Sequence, residues 1–492
     1  GGSLENRVRL LRELIEDTKE AVGDTCAVAV RLAVDELLGT NGIEAEGEAP
    51  DIIAMLAELP DLWDVNISNW SNDSQTARFA EEGYQNDYTA FVKTLTSKPV
   101  VGVGRYTSPD GMAAMVAKGA LDFIGAARPS IADPFLPKKI EEGRIEDIRE
   151  CIGCNICVSG DMTYTPIRCT QNPTMGEEWR KGWHPEHIPP AVSGDAVLIV
   201  GGGPAGLECA RTLGQRGYSV TLAEAGEMLG GRVRSESRLP GMASYQRVAD
   251  HRIAAFHKLP NVETYLASKL GAEDTMAFGA PHIVLATGAR WRRDGVGQRQ
   301  RLPLTITDTE TAIFTPDDIM AGRVPADGPI LVYDDDGYIM AGLIAEKLTL
   351  DGRKVTLMTP DAKVSPWTDN TLEQHAIQRR LLELGVTILA NRQLVALQGN
   401  VRHTCVYTGA EAELPVAAVV LVTSRTSDDG LWRELQTRAE AGEVPWRSLT
   451  RIGDALAPAT IAHAVYAGHR YAREFDAPKA KSTPYKRERV AI

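Results

Sequence analysis

Apolar residues recur every three to four positions from residue 4 to residue 22, the stripe of an amphipathic helix. Short apolar runs then alternate with helical stretches. Residues 26–30, 61–67, 99–103 and 121–126 are predicted strands, and 52–58, 88–96 and 111–118 are predicted helices between them. Strand–helix alternation at this spacing predicts parallel βα units. Four such units amount to half of an eight-stranded barrel, with two open edges and one bare face. The expected fold of residues 1–135 is therefore the C-terminal half of a (β/α)8 barrel, its other half preceding residue 1 or supplied from elsewhere.

A loop-rich segment, 136–190, follows and ends at Pro189-Pro190. It holds four of the seven cysteines: Cys151, Cys154, Cys157 and Cys169. Three thiolates at two successive x2 spacings can wrap one face of a cluster while a fourth arrives from a loop, which suits a [4Fe–4S] cube. Zinc is the alternative, although it usually takes two separated Cys-x2-Cys knuckles and here the third cysteine would crowd the first pair. An odd count in a long acidic chain argues against a disulfide framework. Cys26, Cys209 and Cys405 read as small core residues.

The apolar strand 196–200 runs into Gly201-Gly202-Gly203-Pro204-Ala205-Gly206, then a helix to 216 and a strand ending at Glu224. In that setting Gly201, Gly203 and Gly206 allow a tight turn and close approach. The helix N-terminus accepts a pyrophosphate, and Glu224 takes ribose hydroxyls. A strand ending in Thr287-Gly288 reinforces this dinucleotide site. So does Gly453-Asp454 before a late helix, with Asp454 placed to meet a cofactor hydroxyl. A second βαβ unit starts at 329–333, but its turn reads Asp334-Asp335-Asp336-Gly337. Three carboxylates repel a pyrophosphate, so this unit is expected to have lost its NAD(P) site. The predicted organisation is a glutathione-reductase-like pair of Rossmann-like domains: 191–325 with 420–475 binding FAD or ADP, a degenerate NAD(P)-like domain at 326–419, and a tail at 476–492.

A length of 492 residues fits roughly three domains. The balance of 66 acidic against 53 basic residues, net −13, excludes a nucleic-acid binder, which needs cations for phosphates. No apolar run approaches a membrane span, and no charged-then-apolar leader opens the chain, so a cytoplasmic location is expected.

These residues give the chain a likeness. It resembles the trimethylamine dehydrogenase group of old-yellow-enzyme-like flavoproteins, which includes dimethylamine, histamine and dimethylglycine-type dehydrogenases. The likeness rests on Gly1-Gly2-Ser3-Leu4-Glu5-Asn6-Arg7, which looks like a mid-barrel motif rather than a tag, and on Gly102-Val-Gly-Arg-Tyr-Thr107. It rests further on the stretch from Gly125 to Pro134, the cysteine segment and Gly182-Trp-His-Pro185. The resemblance implies FMN at the strand ends of the barrel. Arg31, at the end of the first strand, would lie beside the flavin, and Gly104, Arg105, Gly125, Ala127 and Arg128 would hold its phosphate. Trp70 would form a wall for the substrate's ammonium, and Asp73 the catalytic carboxylate. The tryptophan that trimethylamine dehydrogenase carries between its third and fourth cysteines is missing from 158–168, which argues for a different amine.

The resemblance also implies ADP, or FAD, on Gly201, Gly203, Gly206, Glu224, Arg232, Thr287, Gly288, Gly453 and Asp454. It implies a homodimer, and electron exit through the cluster to an electron-transferring flavoprotein docking near Tyr245. The expected reaction is oxidation of an amine C–N bond by hydride transfer to FMN, with poor FMN retention in a half-barrel. The alternatives are an NAD(P)H-dependent 2,4-dienoyl-CoA or enoate reductase, and a noncatalytic nucleotide-binding electron-transfer subunit.

Overall fold

A computed structural model describes residues 1–477 apart from 308–310, 324, 326 and 399. The chain divides into two units, Gly1–Gly153 and Cys154–Ile492. The tail expected at 476–492 lies almost wholly outside the described residues.

In the first unit four parallel strands lie side by side in chain order: Ala29–Asp35, Leu62–Ile67, Val100–Gly102 and Phe123–Ile124. The helices Leu4–Val22 and Ala49–Leu56 cover one face. They bury Val8, Ile15, Ile53 and Leu56 against Val34, Trp63, Val65 and Val100. Trp63 is fully buried, and its indole N–H donates to the Ala57 carbonyl at 3.1 Å, so the largest side chain of this core keeps a polar partner. The opposite face of the first strand, carrying Ala29 and Arg31, is exposed.

Three expectations need correction here. The first strand starts at Ala29 rather than at residue 26, because the Val28 amide donates to the Asp61 carboxylate (2.8 Å) instead of to a neighbouring strand. Cys26 is consequently exposed and not a core residue. Residues 88–96 form two single turns, Asn86–Thr89 and Val92–Leu95, rather than one helix, in a stretch rich in β-branched residues.

The second unit holds two parallel five-stranded sheets. In the first, Ala196–Val200 is central, flanked by His282–Leu285 and Ser448–Arg451 on one side and by Ser219–Ala223 and Val262–Tyr265 on the other. The central strand is buried on both faces, which is why its sequence is continuously apolar. The helix Pro204–Arg216 packs against Ile461–Glu474 so closely that a Cβ at Gly468 would stand 2.2 Å from the Ala205 carbonyl oxygen.

The second sheet runs Ala312–Phe314, Ala418–Val422, Ile330–Asp334, Val355–Met358, Thr387–Leu389. This moves the expected domain boundaries. Residues 312–314 and 420–422 belong to the second sheet and not to the first: Ala312–Phe314 is too short to announce its partner, and 420–422 end the strand Ala418–Val422. Among the described residues no helix is long and apolar enough to cross a membrane.

Candidate functional site

The glycine-rich turn opens on a cavity of about 520 Å³ in the second unit. Its geometry explains each glycine. Gly201 has φ +110° and a Cβ there would meet the Ala286 carbonyl oxygen at 2.4 Å, while a Cβ at Gly206 would lie 1.9 Å from the oxygen of Gly201. At Gly203 a Cβ would meet only the Gly231 Cα, at 4.0 Å, so the floor there faces open space. The thirteen-residue helix begins at Pro204 and turns its N-terminal amides toward that space. Glu224 closes the base, with Oε2 accepting from the Gly202 amide and Oε1 from the Gly226 amide, each at 2.7 Å. Thr287 and Gly288 line the opposite wall. The cradle fits a nucleoside diphosphate.

Asp454, expected to meet the cofactor, lines the same cavity and is tied into the protein as well. Its Oδ2 accepts from Arg232 (2.8 Å) and Arg425, and its Oδ1 accepts from the Ala459 amide (3.0 Å), so both oxygens are used within the protein. Arg425 escaped the sequence reading because nothing marks it. It sits on a short antiparallel ribbon, Arg425–Ser427 with Ala289–Trp291, whose pairing is visible only in the fold. Gly231 was legible and overlooked. It follows a second glycine, both have positive φ, and a Cβ there would meet the Gly203 Cα at 2.9 Å.

In the acidic turn that ends Ile330–Asp334, Asp334 is fully buried. Its Oδ1 accepts from the amides of Asp336 (3.2 Å) and Gly337 (2.9 Å). Asp335 accepts from the Arg299 and Gln300 amides. The amides that a glycine loop would offer to a pyrophosphate are therefore already taken by carboxylates. Burial, reinforced by Asp336 and Asp361, pushes the Asp334 carboxyl up to about 7.

Cys154, Cys157 and Cys169 lie near one another in the second unit. Burial pushes the Cys154 thiol far up against the pull of the Thr170 hydroxyl 3.2 Å away, and Cys157 and Cys169 add to the shift. No cysteine is in a disulfide. Among the described residues no three His, Cys, Asp or Glu donors converge as a metal site. Four free thiols, of which Cys154 is buried, fit a thiolate-bound cluster in donor chemistry. Cys151 belongs to the first unit, where its sulfur accepts from the Gly153 amide at 3.3 Å. Gly153 needs its φ of +60°, since a Cβ there would stand 2.8 Å from the Ala77 nitrogen.

In the first unit, Arg31 is the third residue of its strand and not the last, because the strand runs on through Leu32, Ala33 and Val34 to Asp35. Its guanidinium pairs with Asp64 (2.8 Å) and Asp73 (3.0 Å). Asp73 also accepts from Gln85 Nε2 at 2.9 Å. Trp70 opens the single turn Trp70–Asp73 and is 44% exposed, an indole free to receive a ligand. Arg105, with φ +62°, donates from Nε to the Ala80 carbonyl, and Arg128 donates to the Gln75 carbonyl. These two arginines, with Gly104, Gly125 and Ala127 after the strands Val100–Gly102 and Phe123–Ile124, give a cationic strand end that fits a flavin phosphate. Tyr245, expected on an exposed docking surface, is instead 7% exposed, because its helical turn packs into the second unit.

Likeness to known proteins places the chain among the flavin-dependent oxidoreductases. Residues 1–147 match the NADH:flavin oxidoreductase / NADH oxidase family, 199–268 an NAD(P)-binding Rossmann-like domain, and 314–407 an OYE-like second alpha/beta domain. The chain is 40% identical to dimethylamine dehydrogenase of Hyphomicrobium sp. (strain x), over its whole length and 71% of that enzyme. Histamine dehydrogenase from Rhizobium sp. 4-9 superposes with a TM-score of 0.96 at 53% identity, covering all of this chain and 72% of that one. The 6-hydroxypseudooxynicotine amine oxidase from Pseudomonas geniculata N1 gives 0.93 at 48% identity, covering 97% and 71%. The chain belongs to the trimethylamine dehydrogenase-like family of FMN-dependent amine dehydrogenases.

Proposed function

We propose that the chain oxidises the C–N bond of a small N-methylated or primary amine. The observation that carries this reading is likeness to a dimethylamine and a histamine dehydrogenase at 40% and 53% identity, over all of this chain and 71% and 72% of theirs. The amide-filled acidic turn at 334–337 favours it over an NAD(P)H-dependent reductase. FMN, when bound, supplies a hydride acceptor, and a [4Fe–4S] cluster supplies a one-electron exit.

The chain's own residues do the rest. Gly104, Arg105, Gly125, Ala127 and Arg128 hold the flavin phosphate at the strand ends, with the sheet serving as one half of a (β/α)8 barrel. The Trp70 indole walls the site and attracts the substrate's ammonium. Asp73, oriented by Gln85 and Arg31, presents the carboxylate, and Arg31 brings positive charge toward the flavin. Cys151, Cys154, Cys157 and Cys169 grip the cluster. The second-unit cradle takes ADP, the acceptor is an electron-transferring flavoprotein, and the enzyme works as a homodimer.

Anaerobic mixing with a panel of methylated amines, N-methylated amino acids and histamine tests the reading. At least one amine bleaches the flavin and NADPH does not. Rapid, saturable bleaching by NADPH would overturn it. Iron analysis provides a separate check: Cys154→Ser should lose cluster iron, and zinc in place of iron in the unaltered protein would remove the exit route. Replacing Asp73 with Asn is expected to lower kcat/KM about 100-fold. Its unfolding free energy should move by no more than about 1 kcal/mol, because the ion pair it breaks is partly exposed. Steady-state kinetics beside urea titration separates the two effects.

A further inference from the structure

The second unit contains another cavity, of about 230 Å³, that the nucleotide cradle does not use. The two share lining only at Arg232 and at residues 459–461. Tyr245, Tyr338 and Trp367 form aromatic walls, with the rings of Tyr338 and Trp367 edge to face at 5.0 Å. Met242, Ile339 and Met340 add apolar surface.

The charges around this cavity do not balance. Arg232 and Arg425 line it, but both are bound to Asp454, and Arg232 Nε also stands 2.8 Å from Glu236. Arg425 further covers the face of Trp291 at 5.7 Å. Against these two cations stand three carboxylates. The third, Asp336, lines the cavity and has no ion-pair partner among the described residues. Enclosure pushes its carboxyl up to about 6, outweighing the downward pull of the Tyr338 amide and of the Arg232 charge. Tyr245, 7% exposed, and Tyr338 line the same cavity as Asp336, so all three belong to one wall.

We propose that this cavity is a binding site for a small organic cation carrying N–H donors on a short apolar body. Asp336 is its counter-ion, Tyr245 and Tyr338 accept its hydrogen bonds, and Trp367 offers a π-face. The site lies within the second unit and does not depend on amine oxidation in the first.

Benzamidine is a suitable probe, because it is a planar cation with N–H donors and no oxidisable C–H beside nitrogen. Benzamide is its neutral counterpart. Calorimetric titration of the full chain with ADP saturating, in the Asp73→Asn background to remove the first-unit carboxylate, should give one benzamidine site. Benzamide should bind about tenfold or more weakly, and Asp336→Asn should weaken benzamidine by a similar factor. Where Asp336→Asn does not fold, Tyr338→Phe is expected to weaken benzamidine about threefold. Benzamide binding as tightly as benzamidine would mark a mere aromatic slot. Affinity for benzamidine unchanged in a folded Asp336→Asn or Tyr338→Phe protein would place any binding elsewhere, and either result overturns the proposal.

Discussion

A single methyl group added at position 206 is expected to cost the second unit its nucleotide. In Gly206→Ala the new Cβ would stand 1.9 Å from the Gly201 carbonyl oxygen and 3.1 Å from its carbon. Both are backbone atoms at the floor of the cradle, so no side chain can swing aside. The helix Pro204–Arg216 must lift from the strand Ala196–Val200, and its N-terminal amides leave the positions where a pyrophosphate would meet them. Overpacking of this kind costs about 3 kcal/mol of stability, and ADP affinity should fall about 100-fold or more with the loss of aligned amides. Gly217→Ala provides the contrast at the other end of the same helix. Gly217 has φ +99° but nothing within 4 Å of a Cβ, so only about 1 kcal/mol of backbone strain is expected, with ADP binding unchanged. Equilibrium dialysis with ADP and urea unfolding distinguish the two. If Gly206→Ala bound ADP like the parent protein, the cradle would not be the nucleotide site.

That contrast also shows what the sequence could carry. The glycine turn was legible because its constraints are local: strand, turn, helix and acid fall within 24 residues of Gly201, and each follows from backbone geometry. The strand Ala196–Val200 and the helix Leu4–Val22 were legible for the same reason, since period and burial agree. What escaped depends on partners distant in sequence. Val28 pairs with the Asp61 side chain instead of a strand, which shortened the first strand at its start. Arg425 reaches Asp454 from a two-stranded ribbon, so the ion network around this cavity-lining aspartate could not be read from spacing. Tyr245 looked like a surface tyrosine only because its covering residues lie far along the chain. The acidic turn at 334–336 was read for its charge alone. Its work in sealing its own amides needed coordinates.

Neutralising Glu208 is expected to weaken the second unit more than any other change to a single charge. Its side chain is fully buried in the helix Pro204–Arg216, where Oε1 accepts from Arg211 (2.6 Å), Thr212 (3.0 Å) and His469 (2.9 Å). Arg252 Nε stands 2.8 Å from Oε2, and Arg252 is itself fully buried. Burial alone would raise the Glu208 carboxyl, but Arg211, Arg252 and the His469 hydrogen bond outweigh it and hold it well below the usual range. Glu208→Gln leaves two guanidinium groups in the interior without a counter-charge, a loss of about 3–5 kcal/mol.

Because Arg252 also donates to the carbonyl and side chain of Gln171, two residues beyond Cys169, faster amide exchange around 169–172 should accompany that loss. The pH dependence follows from His469, which burial pushes down from 6.5 to about 4. Its neutral ring donates from Nδ1 to Glu208 and accepts from Arg473 at Nε2. The unfolded chain binds this proton first on acidification, so the stability His469 confers is complete above pH 6.5 and is lost as pH falls toward 4, by about 3 kcal/mol. Asp334 and Asp336, raised to about 7 and about 6, act in the opposite sense and lose stability as pH rises. The measurement is therefore a difference: urea unfolding of the parent and of His469→Gln from pH 4 to 7.5. The gap between the two should widen with pH through that window and level off above 6.5. A gap independent of pH would mean that folding leaves the His469 proton affinity unchanged, and a gap that narrowed above pH 6.5 would mean that His469 carries its proton in the folded chain and pairs with Glu208 as a cation.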